Sequence, residues 1–171
     1  DQCPDIKHVL ICQLVKEKPV QITSEKDEIL SDLLKEASPE CPCVQMMASD
    51  PLFILYTSGS TGAPKGIIHR VGGYTVASAL TFKYVFDTDE NTVFGCTSDL
   101  GWITGHSYVC YGPLLNGVTT LVFGGSPLYP DAKRSWELIS KLRLTHFYTS
   151  PSAVRAISAK IESVDEVKDY D

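Results

Sequence analysis

Apolar positions along the chain fall into short continuous runs separated by stripes of helical period. The run IKHVLICQL (6–14) has the length and composition of a strand. In SEKDEILSDLLKEA, Ile29, Leu30, Leu33, Leu34 and Ala37 share one helical stripe, and Ser24 and Asp27 stand at capping-box spacing, so a short amphipathic helix is expected. SPECPC (38–43) reads as a turn-rich linker, and LFILY (52–56) is an apolar run with no polar face, which predicts a strand buried on both sides. GGYTVASALTFKYVFD then predicts a helix, TVFGCTS (92–98) a strand, residues 105–115 a helix and VTTLVF (118–123) a β-branched strand. Asp131 heads a helix carrying Ala132, Trp136, Ile139 and Leu142, followed by a strand at THFYT (145–149). Ser150 and Pro151 fit the N-cap and N1 positions of a last helix with Val154, Ile157 and Ile161 inward.

Strands alternating with helices over the whole length indicate an α/β fold, a layered domain with a largely parallel sheet. There is no internal repeat and no low-complexity segment. At 171 residues and 18.8 kDa the chain matches one domain of ordinary size. A domain of that length is expected to bury about 70% of its unfolded surface.

Composition narrows the function classes. The chain is 43% hydrophobic and 21% charged with a net charge of -6, so it carries no basic footprint and no nucleic-acid partner is expected. No apolar run approaches the roughly 20 residues of a membrane span, so no membrane association is expected. Of the six cysteines, no pair has CxxC spacing, and Cys12, Cys96 and Cys110 lie in apolar segments, where a reduced thiol acts as a small hydrophobe. The CPC at 41–43 lacks a second pair of ligands, so no metal site is expected. Residue 1 is not methionine, and DQCPDIKHVLICQL lacks the basic start and continuous apolar stretch of a signal peptide. A piece of a longer chain, working in a reducing compartment, is the expectation.

The chemistry concentrates in YTSGSTGAPKGIIH (56–69). Gly59, Gly62 and Gly66 let main-chain N–H groups approach a ligand, and Thr57, Ser58, Ser60 and Thr61 add hydroxyl donors. Lys65 adds a point charge able to neutralise phosphate, and Pro64 stiffens the segment before it. A nucleotide polyphosphate is the expected ligand, although a Ser/Gly loop can also be a plain surface connection. A Walker A site needs GxxxxGK[ST]; here Lys65 follows Pro64 and Gly66 occupies the place of the metal-binding hydroxyl residue.

The whole string is more specific than its glycines. YTSGSTGAPKG resembles the phosphate loop of the adenylate-forming (AMP-binding) enzymes, and SDLGWITGHSYVCYGPLLNGVTTLVF (98–123) and FYTSPSAVRAI (147–157) resemble the segments that follow it in acetyl-CoA synthetase. The likeness runs in register from about Ile6 to Ile161, within the short-chain acyl-CoA synthetases. It implies that residues 1–171 are a partial AMP-binding (adenylation) domain from the family's N-terminal region, with no complete second domain. The implied activity is that of an ATP-dependent acetate–CoA ligase, using ATP, Mg2+ and coenzyme A on acetate or another short-chain carboxylate. Acting alone, the segment is expected to be nearly inactive and to need the rest of the enzyme chain. The implied location is cytoplasmic, with mitochondrion and nucleus left open. A non-catalytic α/β module that retains weak phosphate binding is the alternative.

Carried over position by position, the resemblance assigns Thr57, Ser58, Gly59, Ser60, Thr61, Gly62 and Lys65 to ATP phosphates, with Ser60, Thr61 and Gly62 in direct contact and Lys65 placing pyrophosphate. Trp102, Ile103 and Thr104 match positions lining the acyl pocket, with Thr104 also near the coenzyme A thiol. A core cluster at a helix start is their plain structural reading. Selection of an acid as small as acetate needs a bulky wall, because one methylene discriminates by only about 1–3 kcal/mol through contact. No catalytic base is assigned, since a carboxylate nucleophile is already ionised at neutral pH; His69 and His106 are read as structural or loop-supporting and Arg155 as lying on a solvated face. The chain departs from the family at Gly124, where a glutamate is frequent, and at Leu128, where an asparagine is frequent near coenzyme A. The adenine, ribose and metal-binding segments and the adenylation lysine of the family have no counterpart in these residues.

Overall fold

A computed structural model describes residues 3–13, 15, 18–58, 62–122 and 124–170. They fall into two compact units, Asp1–Gln45 and Met46–Asp171.

In the first unit, β1 (Val9–Ile11) runs parallel to β2 (Asp27–Ile29), with Val9 opposite Asp27 and Ile11 opposite Ile29, and α1 (Leu30–Glu36) follows at once. The helix expected from Ser24 onward therefore starts six residues later. Asp27 Oδ2 accepts the N–H groups of Thr23 at 2.9 Å and Ser24 at 3.0 Å, closing a turn, and the next residues pair with β1 before the chain coils. The stripe finds no core: α1 buries none of its residues, and Cys12, expected to pack as a hydrophobe, is exposed.

The second unit opens with an antiparallel hairpin, β3 (Pro51–Thr57) and β4 (Lys65–Arg70), in which Phe53 faces His69, Ile54 faces Ile68 and Thr57 faces Lys65. Burial on both sides, expected for LFILY, is not observed: Phe53 and Leu55 are half-buried, while Ile54 is 55% and Tyr56 70% exposed. Alternation along a strand sends successive side chains to opposite faces, and only the Phe53 face is covered by aromatic neighbours. The sequence pattern missed β4, because GIIH continues a glycine-rich segment. Helix α2 (Val71–Phe86) leaves it directly, its start tied to the segment before β3 by Val71 N–H to Asp50 O (3.0 Å) and Gly72 N–H to Ala48 O (2.9 Å).

The rest of the unit is built on a parallel sheet of order β6-β5-β7, comprising β5 (Val93–Cys96), β6 (Thr119–Leu121) and β7 (His146–Tyr148). Between β5 and β6 the expected helix begins at Ile103 and has three parts: α3 (Ile103–Gly105), a wide π-helical stretch (His106–Tyr111) and α4 (Gly112–Leu115). Phe82 of α2, Phe94 and Cys96 of β5, Val109 and Val118 form the core, and the Phe82 and Phe94 rings meet edge-on at 4.8 Å. Phe86, Tyr108 and Tyr148 pack around it.

Helix α5 (Arg134–Leu142) leads to β7, and Asp131 accepts the N–H of Lys133 at 2.8 Å in the turn ahead of the helix instead of capping it. Helix α6 (Pro151–Ser158) starts as expected, with Ser150 Oγ accepting the Ala153 N–H at 3.1 Å. On α6, Ile157 is buried and Ile161, just beyond the helix, is half-buried; Val154, expected inward, is exposed. A one-turn 3-10 helix (Val164–Glu166) follows.

The surface totals 12945 Å², against about 8,300 Å² for a folded monomer of this mass and about 27,000 Å² for its unfolded chain. About half of the unfolded surface is buried, not the expected 70%. Among the described residues no helix is long and apolar enough to cross a membrane.

Candidate functional site

The sheet order reverses at β5: the chain leaves it to one side for β6 and comes back on the other side as β7. In open parallel sheets, ligands settle outside the carboxyl ends of strands at such a reversal. A cleft of about 840 Å³ lies there, walled by Thr97–Asp99 from the end of β5, by Thr149–Ser152 from the end of β7, and by Trp102 and Thr104. Its size is within the range of small-molecule sites.

Short hydrogen bonds shape both walls. Thr97 N–H donates to Tyr148 O at 3.1 Å, extending the β5–β7 ladder, and the Thr97 and Thr149 hydroxyl oxygens lie 2.6 Å apart. Ser150 Oγ is 2.9 Å from Ser152 Oγ. On the other wall, Asp99 Oδ1 accepts the Gly101 N–H at 2.6 Å and Asp99 O accepts the Trp102 N–H at 3.1 Å, making a tight turn. That turn lies hard against Gly105, where any Cβ would come within 2.2 Å of Asp99 O, so only glycine lets α3 and the turn pack this closely. The turn leaves the Trp102 side chain 71% exposed at the cleft. Burial pushes the Cys96 thiol pKa up, so this cleft-lining cysteine is held as a thiol.

Of the expected acyl-binding residues, the fold thus brings Trp102 and Thr104 together, whereas Ile103 opens α3 half-buried and lies outside the cleft lining. The expected phosphate-binding residues are elsewhere. Thr57 and Lys65 face one another at the end of the β3–β4 hairpin, with Ser58 and Gly62 between them; Gly59, Ser60 and Thr61 lie outside the described residues. Gly62 has φ +83°, a conformation that favours glycine. Thr57, Ser58 and Lys65 are all exposed, so their donors are open to an incoming anion. None of the described hairpin-loop residues lines the cleft.

A ring cluster joins the hairpin to the cleft wall. Phe53 of β3 stacks on His106 (centroids 4.9 Å apart, planes at 17°), lies 4.8 Å from His69 of β4, and meets Tyr74 of α2 edge-on at 4.8 Å. Tyr74 in turn meets Tyr111 at 5.3 Å, and its hydroxyl is 2.7 Å from Ser107 Oγ. The Tyr111 phenol is pushed up in pKa by burial first and then by the charges of Cys110 and Tyr74. His106 Nδ1 donates to Trp102 O at 3.0 Å. Both histidines take part in these ring and hydrogen-bond contacts. The cluster itself was not visible along the chain, because its members are scattered over nearly 60 residues and meet only when β3 pairs with β4 and α2 packs on the π-helical stretch. Among the described residues, no group of three or more His, Cys, Asp or Glu side chains is placed to hold a metal ion.

Comparison with known proteins gives a consistent pattern. The family model described as "AMP-binding enzyme" matches residues 2–170. "Acetyl-coenzyme A synthetase" of Syntrophobacter fumaroxidans is 48% identical over 162 residues, covering 95% of this chain and 25% of the relative. "Acetyl-coenzyme A synthetase 2" of Pseudomonas aeruginosa is 50% identical over 155 residues, covering 91% and 24%. The chain therefore spans about a quarter of the length of these curated relatives. Among solved structures, the crystal structure of a Brucella canis acyl-CoA synthetase superposes with a TM-score of 0.70 at 28% identity, covering 83% of this chain and 25% of that one.

Proposed function

The chain belongs to the AMP-binding enzyme family, and on that premise we propose that it is part of the adenylation domain of an ATP-dependent acetate–CoA ligase. In this reading an acetate oxygen attacks the α-phosphorus of ATP and pyrophosphate leaves; the coenzyme A thiol then attacks the acyl carbon of the acetyl-adenylate and AMP leaves. The observation that carries the proposal is the meeting of Trp102 and Thr104 in the cleft at the sheet reversal. The indole forms a bulky wall suited to a two-carbon acid. The cleft is far larger than acetate requires, which leaves room for the thiol end of coenzyme A beside Thr104. Ile103 acts from behind, fixing the start of α3.

Thr57, Ser58, Gly59, Ser60, Thr61, Gly62 and Lys65 take the ATP phosphates. The exposed hydroxyls, the glycine turn and the Lys65 ammonium suit the charge that builds up as pyrophosphate departs. Mg2+, arriving with the nucleotide, would neutralise part of that charge. The remaining substrate contacts come from the rest of the enzyme chain, and the unusually large exposed surface supports the idea that 1–171 is one part of a larger domain. All six cysteines are unpaired, which suits a reducing, cytoplasmic setting.

The test is acetate-dependent exchange of labelled pyrophosphate into ATP by the complete enzyme. The Lys65→Ala, Thr61→Ala double substitution is expected to abolish most exchange, and unchanged exchange would remove the loop from the site. Trp102→Gly is expected to admit longer acids; an unaltered acid preference would remove the indole from the acyl wall.

A further inference from the structure

We propose that His106 is a positioning residue that sets the acyl wall and the phosphate-loop hairpin in one geometry, an inference that rests on the acetate–CoA ligase reading above. Two separate parts of one imidazole make the link. Its Nδ1 faces a carbonyl, which can only accept, so Nδ1 carries the proton and donates to Trp102 O at 3.0 Å. That carbonyl also accepts the His106 backbone N–H at 3.1 Å, so the residue bearing the indole is clamped twice from the same side. The ring face, meanwhile, is stacked on Phe53, 4.9 Å away and tilted by only 17°.

Phe53 is the register partner of His69, and the His69 ring lies 4.8 Å from it, so the stack holds both strands of the hairpin and not one alone. Four residues beyond Phe53, β3 reaches Thr57, opposite Lys65. A two-stranded hairpin with one open face has little stability of its own, and its direction depends on what grips its covered face. That grip is made chiefly by rings: Phe53, His69, Tyr74 and His106. Of these, His106 is the one that also bonds to the cleft wall. In-line attack requires the carboxylate and the α-phosphorus to be placed within a fraction of an ångström, so a single side chain that touches both supports governs their relative placement without touching substrate.

The two links can be cut separately in the complete enzyme. His106→Phe keeps a ring against Phe53 and removes the donor to Trp102 O; His106→Asn keeps an N–H donor near the position of Nδ1 and removes the ring. In the pyrophosphate-exchange assay, His106→Phe is expected to lower the acetate-over-propionate ratio of kcat/KM about three- to tenfold, the worth of one such hydrogen bond, with KM for ATP unchanged. His106→Asn is expected to raise KM for ATP several-fold and to keep the acid ratio. Variants that alter only the melting temperature, or that move both parameters together, overturn the proposal. Lys65→Ala and Trp102→Gly are run alongside. If they act as expected while the His106 variants do not separate, this inference alone falls; if they have no effect, the ligase reading falls and takes this inference with it.

Discussion

Strand β5 has a parallel neighbour on each side and the Phe82, Phe86 and Phe94 rings packed against one another beside it, whereas β3 has one antiparallel neighbour, β4, and the hairpin they form has an open face bearing Ile54 and Tyr56 of β3 and Ile68 of β4. Both belong to the same unit; β5 ends at the cleft, and β3 ends at Thr57, in the loop proposed to take phosphate. The parallel sheet is secured by a dry core, so its loops project from a fixed platform. The hairpin is secured by its ladder and a cluster of rings on one side. Tyr56 partly makes up for the missing cover by lying over Gly66, where an added Cβ would come within 3.0 Å of the Tyr56 ring. The cleft thus has a wall set on a packed sheet, whereas the placement of the hairpin depends on a few contacts.

The largest expected effect is in the sheet. Phe94 is fully buried, and Phe94→Ala should cost about 3–5 kcal/mol, because it removes a ring from the aromatic core and leaves a cavity. Denaturant unfolding checks this, and a loss below 1 kcal/mol would mean that β5 is not the platform described. Next is Gly105→Ala, which forces the Asp99 turn away from α3; about 1–3 kcal/mol is expected. A change in the fluorescence of the nearby exposed Trp102 should accompany it.

On the hairpin, Ile54→Ala should cost within about 0.5 kcal/mol in the 171-residue chain, since the side chain is already largely in water. In the complete enzyme the same substitution should cost about 2–5 kcal/mol if the remainder of the enzyme covers that face. Equal small costs in both would show that the face stays open.

The smallest effect concerns pH. Asp89, in the turn entering β5, is held below the usual carboxylate range by the Thr92 hydroxyl first and the Asn91 N–H next. A depressed folded pKa lends stability that is complete above the unfolded pKa and is lost as pH falls through the folded one. Asp89→Asn should therefore lower stability slightly at neutral pH and flatten the acid limb below about pH 4, where the carboxylate would have lost its own contribution. An identical acid limb in the variant would discount the Asp89 turn as a contributor.

Elements with a clear composition or a clear cap were legible along the chain: the α2 helix of small and apolar residues, the strands near 93, 119 and 146, and the Ser150 cap of α6 all lie where the sequence places them. Those decided by pairing were not. Asp27–Ile29 has a helical pattern yet joins β1, and KGIIHR is hidden in a glycine-rich segment yet completes the hairpin. The site divides in the same way. Trp102 and Thr104 could be named from their motif, but the cluster of Phe53, His69, Tyr74, His106 and Tyr111 has no local signature.

What the amino-acid order determined by itself is the family, the alternation of strands and helices, and the candidate chemistry of the 57–65 loop and the 102–104 segment, because short motifs and hydrophobic period are local properties. Only the tertiary structure decided which apolar faces are covered, that the sheet reverses at β5 to open a cleft, and that one histidine both bonds to Trp102 O at the cleft and stacks on Phe53 of the hairpin. Burial and long-range contact depend on which segments meet in space, and nothing in a local pattern of residues records that meeting.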